Sequence, residues 1–197
     1  DAKEIGAVNC LHRAANRHWS GANTVGTGFL NVLKNISDPL GCKVLLLHTG
    51  PTARAIALAL ARESVAAVTV CGNDEDAGFE LVEMLQGVSD TSVNFVVWEG
   101  DLPVDDDMQL VIHAPEPVAV VPTEAIVLST ETLRPEMLLA DMCLGSPTTA
   151  FLRAGLACGC QVLQGQQLLV SQWVECVRLW TGSEPEGDVM REALEEY

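Results

Sequence analysis

From Lys43 onward the chain alternates short unbroken apolar runs with longer stretches in which apolar residues recur every three or four positions. Val44-Leu45-Leu46-Leu47 is such a run, the pattern of a strand covered on both faces. An Ala-rich helix is expected from Thr52 to Glu63, then a strand from Val65 to Cys71. A helix from Asp74 to Gln86, opened by Asn73 or Asp74 as cap, leads to a third strand from Ser92 to Trp98. Leu110 to His113 reads as a fourth strand, Ala125 to Leu128 as another short one, and Met137 to Leu144 as a further apolar segment. A helix from about Thr148 to Cys158, a short strand at Gln161 to Leu163, a helix from Gly165 to about Trp180 and a terminal helix from Glu186 to Tyr197 complete the pattern. Strands alternating with helices imply an α/β fold, a doubly wound parallel sheet with right-handed crossovers and ligands at the carboxyl ends of the strands. The stripe Val170, Trp173, Val174, Val177, Trp180 has helical spacing and reads as core packing rather than a ligand platform.

Composition narrows the function. With 197 residues and 48% hydrophobic content the chain can bury a core, and it holds no apolar run long enough to span a bilayer and no basic-then-apolar leader. A cytoplasmic protein is expected. The net charge of -16 excludes partners that need a basic surface, so neither nucleic acid nor membrane is expected to bind. Fifteen acidic residues fall between Glu63 and Glu131 with no Lys or Arg from Glu63 to Leu133, either a solvated face or a bar to an anionic cofactor. The seven cysteines are scattered and odd in number, which favours free thiols, and no metal site is expected. Cys158-x-Cys160 is the one close pair and is read as packing at a helix end.

Three separated segments carry a resemblance. Ser20 to Phe29 reads S-G-A-N-T-V-G-T-G-F, Ile5 to Asn9 reads I-G-A-V-N, and Gly165 to Gln172 reads G-Q-Q-L-L-V-S-Q, with Trp180-Thr181-Gly182 after it. In this order they resemble the G-x-N-T-D-x-x-G-F, I-G-A-V-N, G-x-x-M-L-V-x-Q and W-T-G motifs of the shikimate dehydrogenase family. The resemblance implies a Rossmann-like NAD(P)-binding domain and an NADP-linked interconversion of 3-dehydroshikimate and shikimate in aromatic amino-acid biosynthesis. It also implies a small-molecule, shikimate-like substrate contacted by Asn9, Thr24 and Gln172, although Asn9 can equally be a turn residue and Gln172 a solvated one. The family's catalytic Asp falls at Val25, which cannot share a proton with the family's Lys. That Lys and a Ser pair belong to a motif expected upstream of Asp1.

The nucleotide turn departs further from the pattern. Where the family has G-A-G-G-A-A-R, this chain has His48-Thr49-Gly50-Pro51-Thr52-Ala53-Arg54. His48 adds a side chain at the tight turn, as a structural residue or a phosphate donor, and Pro51 removes one N–H while suiting the first turn of a helix. The family's N-R-[ST], which reads the 2′-phosphate of NADP, becomes Cys71-Gly72-Asn73, and the phosphate would meet Asp74, Glu75 and Asp76. Gly50, Thr52, Asp74 and Gly165 are the remaining cofactor-binding candidates, Asp74 as ribose acceptor or as helix cap. Cofactor binding is expected to be weak or absent, with NAD favoured over NADP.

The resemblance divides the chain into 1–24, the tail of a substrate-binding domain, 25–160, the nucleotide-binding domain, and 161–197, hinge and packing helices. Its Y-N-P loop becomes Leu144-Gly145-Ser146 and its I-N-A-T strand end becomes Ile112-His113-Ala114-Pro115, so departures gather at ligand-facing positions. Three readings follow: a shikimate dehydrogenase-like protein with weak or lost activity, a non-catalytic scaffold domain of a fused or partnered shikimate-pathway protein, and a dehydrogenase of a related polyol using His48 or His113 as base.

Overall fold

The structure, a computed structural model, describes all residues except 16, 100–101, 116–127, 147 and 197 and the side chain of 195. A short helix α1 (Ala2–Ile5) precedes an antiparallel hairpin of β1 (Cys10–Arg13) and β2 (Trp19–Ala22). Helix α2 (Val25–Leu33) then leads into the alternating part: β3 (Lys43–Leu47), α3 (Pro51–Arg62), β4 (Ala67–Gly72), α4 (Glu75–Gln86), β5 (Ser92–Val97) and β6 (Leu110–His113). A 3-10 turn at Thr130–Thr132 precedes β7 (Leu138–Asp141), α5 (Ala150–Ala157), β8 (Gln161–Leu163), α6 (Gly165–Thr181) and α7 (Gly187–Glu195).

The six strands from β3 on form one sheet in the order β5-β4-β3-β6-β7-β8, every pair parallel. This is the doubly wound arrangement, and the strand order reverses between β3 and β6. The central strands are apolar up to their carboxyl ends because helices cover both faces, and β6 and β7 are buried at all four positions. One face packs Val44, Leu46, Val70 and Ile112 against α2, α3 and α4, and the other packs Leu45, Leu47, Val111 and Leu139 with Phe151 of α5.

The expected elements fall at the expected places to within a few residues. The apolar segment from Met137 resolves into a four-residue strand followed by loop. Of the expected strand at Ala125 to Leu128, residues 125–127 lie outside the described residues, and Leu128 forms a single parallel bridge with Leu102. The stripe on α6 differs from its reading as core. Trp173 and Trp180 are 51% and 53% exposed, while Leu168 and Cys176 are buried. The helix meets α2 along Leu168, Gln172 and Cys176, and a Cβ on Gly28 of α2 would sit 2.7 Å from the Gln172 backbone nitrogen. Trp180 donates from its indole N–H to the Leu11 carbonyl at 2.9 Å, tying α6 to the hairpin.

Candidate functional site

In a doubly wound sheet the crevice opens where strand order reverses, at the carboxyl ends. Here the first residue past β3 is His48, β6 ends in His113 and β7 ends in Asp141. Parallel register sets Leu47 beside His113 and His113 beside Asp141, so His113 and Asp141 emerge on one face of adjacent strands, and His48, just past β3, brings its ring to them. They form a hydrogen-bonded chain. His113 Nδ1 lies 2.9 Å from Asp141 Oδ1, and His113 Nε2 lies 3.1 Å from His48 Nε2. Asp141 also accepts from the Thr149 hydroxyl and, at 2.9 Å, from the Cys143 backbone N–H.

Electrostatics fix the proton positions in this chain. Burial raises the pKa of Asp141, but hydrogen bonds from His113, Thr149 and the Cys143 backbone outweigh it and hold the carboxyl below its ordinary value. Burial and the adjacent His113 push His48 down to about 4, against the pull of Asp141. His48 is therefore neutral at pH 7. The Asp141 carboxylate accepts from His113 Nδ1–H, and His113 Nε2 and His48 Nε2 share one hydrogen between them.

His48 itself sits at φ 82°, in the left-handed region that favours glycine. The backbone thus keeps the tight turn of a dinucleotide loop while carrying an imidazole. That ring is held edge-on to Trp98 at 5.9 Å and against His113 at 5.1 Å, so it bridges the ends of β3 and β6 across the reversal. Behind it, Gly50 caps α3 in extended conformation and Pro51 occupies the first helical position. Thr52 lies in the same first turn, where helix N–H groups lack intrahelical partners. Arg54 is committed elsewhere, donating from Nε to the Ile5 carbonyl at 3.1 Å and pairing with Glu80.

The other sequence-derived residues fall into two groups. Asn9 and Thr24 hold each other: Asn9 Nδ2 donates to Thr24 Oγ1 at 3.0 Å, and the Thr24 N–H donates to Asn9 Oδ1 at 2.9 Å. Thr24 Oγ1 also lies 3.3 Å from Cys176 Sγ, one turn along α6 from Gln172, so the three motifs meet at the α2–α6 contact. Val25, beside them, is buried in the apolar core. Asp74 caps α4, accepting from the Ala77 N–H at 3.0 Å. Gly165 opens α6 so close to the loop after β7 that a Cβ would lie 2.1 Å from the Cys143 carbonyl oxygen. Asp141 and Thr149 escaped the sequence reading, although one signal was present: three polar residues each directly follow an apolar strand run, at Leu47-His48, Ile112-His113 and Ala140-Asp141.

Among the described residues no helix is long and apolar enough to cross a membrane. No protein-family profile matches the chain. A shikimate dehydrogenase (NADP(+)) of Methanopyrus kandleri is 30% identical over 203 residues, covering the whole of this chain and 69% of that protein. The ligand-free crystal structure of the 5-ketofructose reductase of Gluconobacter sp. strain CHM43 superposes with TM-score 0.91 at 31% identity, over 99% of this chain and 70% of that one. The shikimate 5-dehydrogenase of Listeria monocytogenes, solved with shikimate and NAD, gives TM-score 0.86 at 25% identity over 98% of this chain and 69% of its own. With motifs, strand order and a relative matched along the whole of this chain in agreement, the chain belongs to the shikimate dehydrogenase family.

Proposed function

We propose that this chain is a shikimate dehydrogenase-like protein in which interconversion of 3-dehydroshikimate and shikimate is weak or lost. In this reading residues 1–24 contribute to a substrate-binding domain, 25–160 form the nucleotide-binding domain and 161–197 pack across the hinge. The observation that carries it is the His48–His113 hydrogen bond across the β3–β6 reversal, with Trp98 against the same imidazole. A dinucleotide approaches this crevice through backbone placed close by glycine, and a side chain held by two partners fills that approach. The residues therefore do not fit a tightly held NAD or NADP. Of the two, NAD is favoured, because Asp74, Glu75 and Asp76 follow Gly72 and repel a 2′-phosphate.

The substrate side supports the same reading. Removal of a hydroxyl proton needs a base, and buried Val25 offers none. Asn9 and Thr24 retain polar atoms at the motif positions that face a polyol, and Gln172 lies at the same helix contact, so a shikimate-like small molecule remains the expected ligand class. Likeness to a 5-ketofructose reductase favours one second reading, a reductase of another polyol in which His48 or His113 replaces the missing acid.

Titration calorimetry of the chain with NAD and with NADP tests the proposal. Weak binding, with dissociation constants of about 1 mM or above, is the expected result for both. Micromolar binding of either cofactor overturns it and favours the polyol reductase.

A further inference from the structure

The polar side chains at the strand ends include a donor cluster that the dinucleotide reading leaves unused. His113 Nδ1, an Asp141 carboxylate oxygen and Cys143 Sγ all lie within 4.8 Å of one another. Cys143 Sγ is 3.8 Å from His113 Nδ1, and Asp141 Oδ1 is 2.9 Å from the same nitrogen. We propose that these three side chains form a binding site for a zinc-like divalent transition-metal ion.

The donor set selects the ion class. Imidazole, thiolate and carboxylate together suit Zn²⁺ and its neighbours, whereas Mg²⁺ and Ca²⁺ take oxygen donors. Thiolate and carboxylate carry two negative charges, which neutralise the ion in a buried setting where His113 is 4% and Asp141 1% exposed. Metal–nitrogen and metal–sulfur bonds of about 2.0 and 2.3 Å place tetrahedral donors about 3.3–3.6 Å apart. The nitrogen–sulfur separation is already close to that range. An ion requires the Cys143 side chain to swing inward, which its half-buried place on a loop allows, and the His113–Asp141 pair to open from 2.9 Å as their hydrogen bond gives way to metal bonds.

The surroundings supply what metal ligands ordinarily receive from their outer partners. An ion on Nδ1 replaces the proton that His113 gives Asp141, and the remaining Nε2–H then donates to His48 Nε2, 3.1 Å away, as a ligating imidazole donates its second N–H to an acceptor. A ligating carboxylate is itself hydrogen-bonded, and Asp141 accepts from Thr149 and from the Cys143 backbone. Gly165, pressed on the Cys143 carbonyl, holds the loop that carries the sulfur donor. Three protein donors leave a fourth position for water or a ligand oxygen.

Cobalt(II) titration of the whole chain under reducing conditions, followed by absorbance, tests the site. The expected result is a near-ultraviolet thiolate-to-cobalt charge-transfer band that saturates at one equivalent and is abolished by Zn²⁺. Cys143→Ser, verified as folded by circular dichroism, loses the band and binds Zn²⁺ at least about tenfold more weakly. Cys42→Ser and Cys158→Ser, at the other half-buried thiols, leave both unchanged. Absence of the band in the wild-type chain, or its persistence in Cys143→Ser, overturns the proposal. The readout is independent of nicotinamide binding, so its outcome and that of the cofactor titration are separable.

Discussion

The contact among α2, α3 and α6 and the carboxyl ends of β3, β6 and β7 are both tightly assembled, through different kinds of atom. In the first, glycines bring backbones together: a Cβ on Gly26 would lie 2.4 Å from the Ala55 carbonyl oxygen, and one on Gly28 would meet α6. In the second, side chains meet side chains, in the sequence Thr149, Asp141, His113, His48. Backbone contact admits almost no substitution without moving a helix. Side-chain contact tolerates replacement as long as every buried donor keeps an acceptor. The motifs of the family accordingly persist at the helix contact, and this chain's own chemistry lies at the strand ends.

The largest effect is expected where the polar chain is cut at its anchor. Asp141→Ala leaves the His113 N–H, the Thr149 hydroxyl and the Cys143 N–H facing an apolar gap, a loss of about 3–5 kcal/mol. Urea unfolding at pH 7 measures it. Because the folded-state pKa of Asp141 lies below its ordinary value, its contribution is present at neutral pH and is lost as pH falls through the folded pKa. The variant's stability should therefore fall less steeply in acid than that of the wild type. An unchanged unfolding midpoint would sink the view that this carboxylate organises the strand ends.

Gly26→Ala is expected to be next. Overpacking costs about 1–3 kcal/mol, and the obstacle here is a helical carbonyl that cannot rotate away, so the upper part of that range applies. Alanine returns about 1 kcal/mol of helix propensity, which leaves a net loss of about 2 kcal/mol. The same denaturant experiment checks it, and a gain in stability would show that α2 and α3 are less closely packed than their backbones indicate.

How much of this was legible before the structure follows the same division. Apolar runs such as Val44 to Leu47 and Leu110 to Ile112 announce buried parallel strands because they are short, rich in branched side chains and bounded by turns. Asn73 or Asp74 before an amphipathic stretch announces a cap, and the Asp74 side chain makes it. The hairpin of β1 and β2 carries no such signal: its exposed Trp19 and Leu11 break the alternation that identifies a half-buried strand. The strand-end relay was visible only in fragments. His48 and His113 drew notice as departures from a motif, but their meeting with Asp141 depends on parallel register between strands far apart in sequence, which local pattern does not encode. Nor does sequence tell that His48 turns its ring sideways toward β6 while its backbone keeps a glycine's conformation.

His48→Gly tests that arrangement from the cofactor's side. Glycine takes φ 82° without the strain of about 1–2 kcal/mol that an L side chain bears there, which offsets the lost hydrogen bond and leaves stability near the wild type at neutral pH. Opening the turn should raise NAD affinity by about tenfold or more, as read by calorimetry, and an unchanged affinity would remove His48 as the obstacle. The pH profile should change as well. His48 titrates at 6.5 when unperturbed and at about 4 in the fold, so the unfolded chain binds more protons between those values. Wild-type stability from this group is complete above 6.5 and lost as pH falls toward 4. His48→Gly should flatten that window.

The smallest expected effect belongs to the residue with two candidate roles. Asp74 accepts from the Ala77 N–H at the start of α4, where replacing an aspartate cap by alanine costs about 1 kcal/mol. The second candidate role is acceptance from a ribose hydroxyl of NAD. The two roles separate in the His48→Gly background, where NAD binding becomes measurable. Asp74→Ala should lower the unfolding free energy by about 1 kcal/mol in either background, because the cap is local. If ribose contact exists, it should also cancel much of the affinity gained from His48→Gly. If Asp74 serves the helix alone, the gain survives, and the strand-end chemistry of this chain is confined to β3, β6 and β7.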